Sequence, residues 1–300
     1  MKQFVTIGGG CGHLLAVWAR YDTAPVLVLA EIGGVTGVSF CSAIPANPNN
    51  DILPVSGRDG GLVFPFAQSP SSSDAGAPVP GPDRLGLLCH EVMDANFLTS
   101  ILYRIRPDLP VDVLYTREDL EAWTAQITPL SRLLAFCSGV VVPAEILGAL
   151  GGPAYNVHPG SPDYPGRFPT AFACYDETPL FGATLHEMAV RVDSGPIVGV
   201  VRFEVPSGSP YQWLAGKAHQ AAIHLFLEAA RDLACSSAPL RRLPVAWGPR
   251  RCTQKLLEQA CCLPVDITDQ EMERRQASFG QVLGAKLYIT ICGRRFDLAA

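Results

Sequence analysis

Charge is scarce in this chain. Of its 300 residues 17% are charged, where soluble domains average ~25%, and Lys plus Arg (23) fall short of Asp plus Glu (28) for a formal charge of −5. The basic excess of a protein that grips nucleic acid by neutralising phosphates is therefore missing, and tRNA or DNA is not an expected partner. Long apolar runs are missing too. The stretch Leu133 to Ala144 is free of charge for 12 residues, against the ~20 a membrane-spanning helix needs. None of the ten cysteines forms a C-x-x-C pair, which removes support for a zinc ribbon or a thioredoxin-like site, and no metal is expected. The opening MKQFVTIGGG has one Lys and a short apolar run before its glycines, unlike a secretory leader. These absences predict a cytoplasmic protein with reduced thiols, several of them (Cys89, Cys137, Cys292) serving as small hydrophobes.

What the chain has is apolar material, 48%, together with 28 Gly and 26 Pro, well above the ~12% these two usually reach. That combination excludes wholesale disorder and suffices for one large or two small domains. Three regions are expected. Residues 1–83 comprise a glycine-rich, nearly charge-free segment and the tract QSPSSSDAGAPVPGPD (68–83), which reads as linker or exposed loop. Residues 84–236 form the main domain and 237–300 a small C-terminal module. Within the first region IGGGCGHLL (7–15) reads as a strand followed by a turn; its spacing is neither a dinucleotide fingerprint nor a phosphate loop.

From Arg84 onward strands and helices alternate. LGLLC (85–89), VDVLY (111–115), LLAFCSGVVV (133–142) and AYNVH (154–158) read as strands. Between them fall a helix over 94–105, one capped by Thr116 and running to about Ile127, and a short one from Pro143 to Leu150. A helix over 169–175, strands over 183–190 and 197–205, and a long helix over 212–234 follow. Beyond Leu240 the pattern predicts Pro/Arg-rich loops, a helix over 269–279 and a terminal hairpin. The rhythm implies an α/β fold, a doubly wound and mostly parallel sheet, with ligands at the carboxyl ends of its strands.

At such an end stands Asn156-Val157-His158. Positions i and i+2 of a strand share a face, so Asn156 and His158 project together. The loop HPGSPDYPG that follows is stiffened by three prolines, and Asp193 arrives 35 residues after His158 within VDSGPIV. Thr184 and His186 again sit at i and i+2 of a strand. Each feature alone fits a purely structural part.

Together, NVHPGSPDYPG, FGATLHEM and VDSGPIV resemble the folate-dependent formyltransferases, a family that includes glycinamide ribonucleotide, methionyl-tRNA and amino-sugar N-formyltransferases and formyltetrahydrofolate deformylase. The resemblance covers 130–206 well and 85–129 loosely, and residues 1–83 have no counterpart in it. It implies a formyltransferase-like, Rossmann-related fold. It also implies transfer of a formyl group from 10-formyltetrahydrofolate to the amine of a small acceptor, with a tetrahedral oxyanion stabilised by Asn156 and His158 and with Asp193 assisting proton transfer. By the same resemblance Ser138, Gly139, Val140 and Val141 would form the pterin pocket, and His186, Tyr164 and Gly166 would contact substrate. Pro165 stands where tRNA-modifying members carry Arg, which, with the acidic balance, favours a small acceptor. Two other readings stay open on sequence: a hydrolase of formyltetrahydrofolate with water as acceptor, and a non-catalytic folate- or nucleotide-binding module. Four Arg pairs (Arg241 and Arg242, Arg250 and Arg251, Arg274 and Arg275, Arg294 and Arg295) are candidates for a phosphate-bearing substrate or the folate glutamates, or for structural ion pairs.

Overall fold

The computed structural model describes residues 5–9, 12–21, 24–32 and 80–298, and the chain divides into two units, Met1–Leu53 and Pro54–Ala300. In the first unit β1 (Val5–Gly9), β2 (Gly12–Tyr21) and β3 (Ala24–Ile32) form an antiparallel three-stranded sheet in the order β1-β2-β3. Gly8 and Gly9 end β1 and pair antiparallel with His13 and Gly12 of β2, while the expected turn falls on residues 10 and 11, outside the described residues. Residues 68–79 of the expected linker lie outside the described residues.

The second unit begins with β4 (Leu85–Cys89), α1 (Val92–Ile105), β5 (Val111–Leu114), α2 (Arg117–Trp123), β6 (Arg132–Phe136), α3 (Ala144–Ala149), β7 (Tyr155–His158) and α4 (Pro169–Tyr175). It continues through β8 (Leu180–Glu187), β9 (Ile197–Glu204), α5 (Tyr211–Cys235), α6 (Gln254–Cys261), β10 (Cys262–Leu263), α7 (Asp269–Ser278), β11 (Tyr288–Ile291) and β12 (Arg294–Asp297). Six strands join in the order β5-β4-β6-β7-β8-β9. The contacts from β5 through β7 are parallel, and β8 and β9 are added antiparallel. The mostly parallel α/β sheet expected from the alternation is what the chain forms.

Side-chain parity splits the core in two. Leu85, Leu87, Leu134, Phe136, Tyr155 and Val157 point to one face, where α5 lays down its stripe of Ala218, Ala222, Leu225, Phe226 and Ala229. The small alanines let this 25-residue helix approach the sheet closely. Leu88, Leu133, Ala135 and Ala154 point to the other face, against Leu120 and Trp123 of α2 and Ile146 of α3. Asn156 and His158 continue the parity of Ala154, so they stand on this second face at the strand end. Residues far downstream, including Leu257, Leu263, Phe279 and Leu287, belong to the same buried cluster as the first face.

Local signals act as expected in several elements. Thr116 caps α2 in a reciprocal box: its hydroxyl accepts from Asp119 N–H while the Asp119 carboxylate accepts from Thr116 N–H at 3.0 Å. The third strand is shorter than its apolar run, because Cys137 turns into the left-handed region (φ 50) and ends β6 at Phe136. Helix α6 falls where only loop was expected. Thr253 caps it by accepting from Leu256 N–H at 3.1 Å, and Leu257 and Cys261 are buried on its inner side. Among the described residues, no helix is long and apolar enough to cross a membrane.

Candidate active site

A cleft of about 780 Å³ opens at the carboxyl ends of β6 and β7. Strand order reverses at β4, and His90, just after β4, shares the cleft with the stretch after β6, as expected of a doubly wound sheet. Asn156, His158, His186 and Asp193 all line it, together with Ser138, Gly139, Val140, Val141 and Gly166.

Strand pairing assembles the polar group. β7 and β8 run antiparallel with Asn156 opposite His186 and His158 opposite Thr184, so two i, i+2 pairs meet in one quartet. Thr184 is fully buried and donates its hydroxyl to the Gly160 carbonyl at 2.8 Å, tying the proline-rich loop to the sheet beside His158. The loop then folds back so that Gly166 N–H donates to Asp193 Oδ2 at 2.7 Å. Gly166 has φ +105, and a Cβ there would lie 2.0 Å from the Cys252 carbonyl oxygen, so only glycine fits.

Asp193 is the hub. Its Oδ1 lies 3.1 Å from His186 Nε2 and its Oδ2 3.6 Å from His158 Nδ1, and the carboxylate side chain is only 3% exposed. Burial would raise its pKa, but the charge of His158, the hydrogen bond and charge of His186 and the Gly166 amide outweigh that and hold it well below the usual carboxylate range. Its backbone sits in the left-handed region (φ 44), which aspartate tolerates better than most residues. Burial is also the largest influence on His158 and lowers its pKa, against the opposing pull of Asp193.

The two imidazoles are held differently. His158 Nε2 donates to the Tyr164 carbonyl at 3.0 Å. His186 Nδ1 donates to the Glu187 carbonyl at 2.8 Å, which leaves Nε2 between Asp193 and the Asn156 amide at 3.1 Å. Those two neighbours make opposite demands on Nε2. Asn156 Nδ2–H donates to an unprotonated Nε2; with hydrogens on both ring nitrogens, as an imidazolium, His186 donates to Asp193, and the Asn156 amide then presents its oxygen to His186 and turns its NH₂ toward the cleft.

Tyr164 differs from its expected substrate-contacting part. Its ring is buried edge-on to Phe181, with centroids 5.7 Å apart, and only its carbonyl reaches the site. Ser138 to Val142 form an apolar wall in which the Ser138 hydroxyl accepts from Val140 N–H at 3.2 Å. Of the four Arg pairs only Arg251 lines the cleft. Arg242, Arg250, Arg274, Arg275 and Arg295 instead form ion pairs with Glu187, Asp176, Glu271 and Asp297. The cleft's cationic rim is completed by Arg167 and Arg191, two single arginines that carry no motif. Trp247, also unmarked by any local pattern, packs edge-on against both imidazoles, its centroid 6.0 Å from that of His158 and 5.0 Å from that of His186.

No protein-family model matches the chain. Its structure is similar to those of a 4-N formyltransferase from Francisella tularensis (TM-score 0.53, 17% identity, 73% of this chain and 97% of that one) and a sugar N-formyltransferase from Shewanella sp FDAARGOS_354 (TM-score 0.56, 15% identity, 72% and 96%). It is similar as well to an N-formyltransferase from Helicobacter canadensis solved with folinic acid and dTDP-3-aminofucose (TM-score 0.51, 13% identity, 70% and 84%). The α/β unit of this chain thus has the fold of the formyltransferases, as the ordered motifs around Asn156 and Asp193 imply.

Proposed function

We propose that this protein moves a formyl group from 10-formyltetrahydrofolate to the amine of a small, anionic acceptor. The observation that carries the reading is the convergence of Asn156, His158 and Asp193 on one cleft whose opposite wall is Ser138 to Val142. That wall, apolar and supplied with backbone groups, suits a flat heteroaromatic ring such as a pterin.

The acceptor amine attacks the formyl carbon, a C–N bond forms, and the carbonyl π pair moves onto oxygen. Asn156 Nδ2, which faces His186 Nε2 at 3.1 Å, supplies a hydrogen bond to that oxyanion once His186, as an imidazolium, donates to Asp193 and the amide turns over. His158, kept neutral by burial, has only Nδ1 free, beside Asp193 Oδ2, so the proton that the amine loses reaches it by way of that carboxylate, which then stabilises the imidazolium that results. A protonated His158 that turns from the Tyr164 carbonyl adds the second donor to the oxyanion. Collapse of the intermediate breaks the bond to N10 of the folate, and that nitrogen receives the proton.

The anionic acceptor is supported by the rim. Arg167, Arg191 and Arg251 line the cleft, and Asp193, already engaged by two imidazoles, is the only carboxylate among its lining residues. None of the three arginines forms an ion pair within the described residues. Arg251 is turned to backbone carbonyls and the Arg167 guanidinium lies over the Phe168 ring, 5.1 Å from its centroid, so all three arginines keep their charge without a carboxylate partner among the described residues. A phosphate-bearing amino sugar, like the ligand of the Helicobacter canadensis protein, meets these demands.

The test is incubation with 10-formyltetrahydrofolate and an amino sugar, with and without a phosphate group. Release of tetrahydrofolate that depends on the amine and is faster with the phosphorylated acceptor is expected. Release at the same rate without amine would replace the proposal with a hydrolase. No turnover with any acceptor would leave a binding module.

A further inference from the structure

The segment 240–253 lies outside the motifs that carry the formyltransferase resemblance, yet it is fastened to β7, to the end of β8, to the start of β9 and to the proline-rich loop around the polar quartet. Leu240 N–H donates to the Tyr155 hydroxyl at 2.8 Å, and Leu243 N–H to the Ile197 carbonyl at 2.7 Å, at the start of β9. Arg242 makes a two-pronged pair with Glu187 (2.9 and 2.8 Å), the residue whose carbonyl accepts from His186. Gly248 N–H donates to the Pro162 carbonyl (2.8 Å) and Cys252 N–H to the Pro165 carbonyl (2.7 Å), both in the proline-rich loop, and Arg167 N–H donates back to Cys252 (2.8 Å).

Two side chains of this strap reach the site itself. Trp247 is locked by its indole N–H, which donates to the Gly195 carbonyl at 2.8 Å, and its ring stands against both His158 and His186. Arg251 donates to the carbonyls of Val192 and Asp193, the latter at 3.2 Å. Both ends of the Asp193-Ser194-Gly195 turn are therefore held from the strap, and Asp193 is one of three non-glycine residues lining the cleft, with Cys137 and Phe168, whose backbone is left-handed. Left to itself a left-handed aspartate relaxes, because its Cβ crowds the backbone in that conformation.

We propose that residues 240–253 are a positioning strap for the reaction, in which Trp247 fixes the two imidazoles in a water-poor slot and Arg251 pins the Asp193 turn so that its carboxylate faces them. This rests on the formyl-transfer reading for its kinetic consequence, while its structural consequence stands apart from it. Trp247 and Arg251 are positioning residues, acting through His158, His186 and Asp193. The titratable and charged groups facing His158 are Asp193 from the turn and His186 from β8, with Arg251 from the strap against the Asp193 carbonyl.

Two measurements test the strap. The first is NMR titration of the histidine ring nitrogens in the full chain, without any substrate. In Trp247→Ala, water reaches His158, and its titration moves up toward the ordinary histidine value near 6.5. Trp247→Phe, which keeps a ring but loses the bond to Gly195, moves it less, and Arg251→Lys shifts the His158 titration by loosening Asp193. The second is steady-state kinetics: kcat falls about 10- to 100-fold in Trp247→Ala while KM for the folate donor stays within a factor of three or so. Histidine titrations identical to the parent in all three variants, each folded by circular dichroism, overturn the proposal. So does a loss confined to KM. Should Trp247→Ala fail to fold, the Phe and Lys variants decide. Absence of turnover in the parent counts against formyl transfer alone and leaves the titration test intact.

Discussion

Asp193 Oδ1 meets His186 Nε2 at 3.1 Å, closer than the same carboxylate comes to His158. The histidine singled out by the Asn-x-His motif is therefore the looser partner, and the one across the sheet is the tighter. His186 is 2% exposed and spends both ring nitrogens on protein groups, which suits a residue that aligns Asn156 and Asp193.

Replacing His186 by Leu leaves a buried carboxylate without its nearer partner. A stability loss of about 1–3 kcal/mol is expected from urea unfolding at neutral pH. His186→Gln, which can still donate to Asp193, should lose less.

Asn156→Ala removes the amide donor proposed for the developing oxyanion. In a desolvated cleft this should lower kcat by ~10²–10³ with little change in folding midpoint, measured as tetrahydrofolate release and as thermal unfolding. An unchanged kcat would remove Asn156 from the chemistry.

Stability should fall with acidification in two stages. His158 has a lowered pKa in the folded chain, so below about 6.5 the unfolded state binds a proton the folded state refuses, and stability drops until the folded value is passed. Asp193 has a depressed pKa, so its contribution is complete above ~4 and is lost as pH falls toward the folded value. Denaturation midpoints measured from pH 7 to 2 should show both slopes. His158→Gln should flatten the upper one and Asp193→Asn the lower.

Gly166→Ala combines a disfavoured φ with a Cβ driven into the Cys252 carbonyl. It should pry the strap from the proline-rich loop and weaken the Gly166–Asp193 hydrogen bond. Limited proteolysis is expected to cut within 240–253 faster than in the parent, and kcat to fall with it.

Much of this protein is determined by local sequence. The apolar runs at 85–89 and 154–158, the cap at Thr116 and the apolar stripe of the helix after Pro210 place strands and helices nearly where they fold, because burial parity and capping act over a few residues. Strand period alone puts Asn156 and His158 on one face. Tertiary structure decided the rest. Whether His186 or His158 lies nearer Asp193 depends on the antiparallel register of β7 and β8 and on the left-handed turn at Asp193, neither of which a local pattern encodes. Trp247 carries no motif because its partners His158, His186 and Gly195 come from other elements, and Arg167 and Arg191 are marked only by their place on the cleft. Trp247 and Arg251 reach the site only because side-chain-to-carbonyl hydrogen bonds made 52 or more residues away, such as that from Trp247 Nε1 to Gly195, fold residues 240–253 across it.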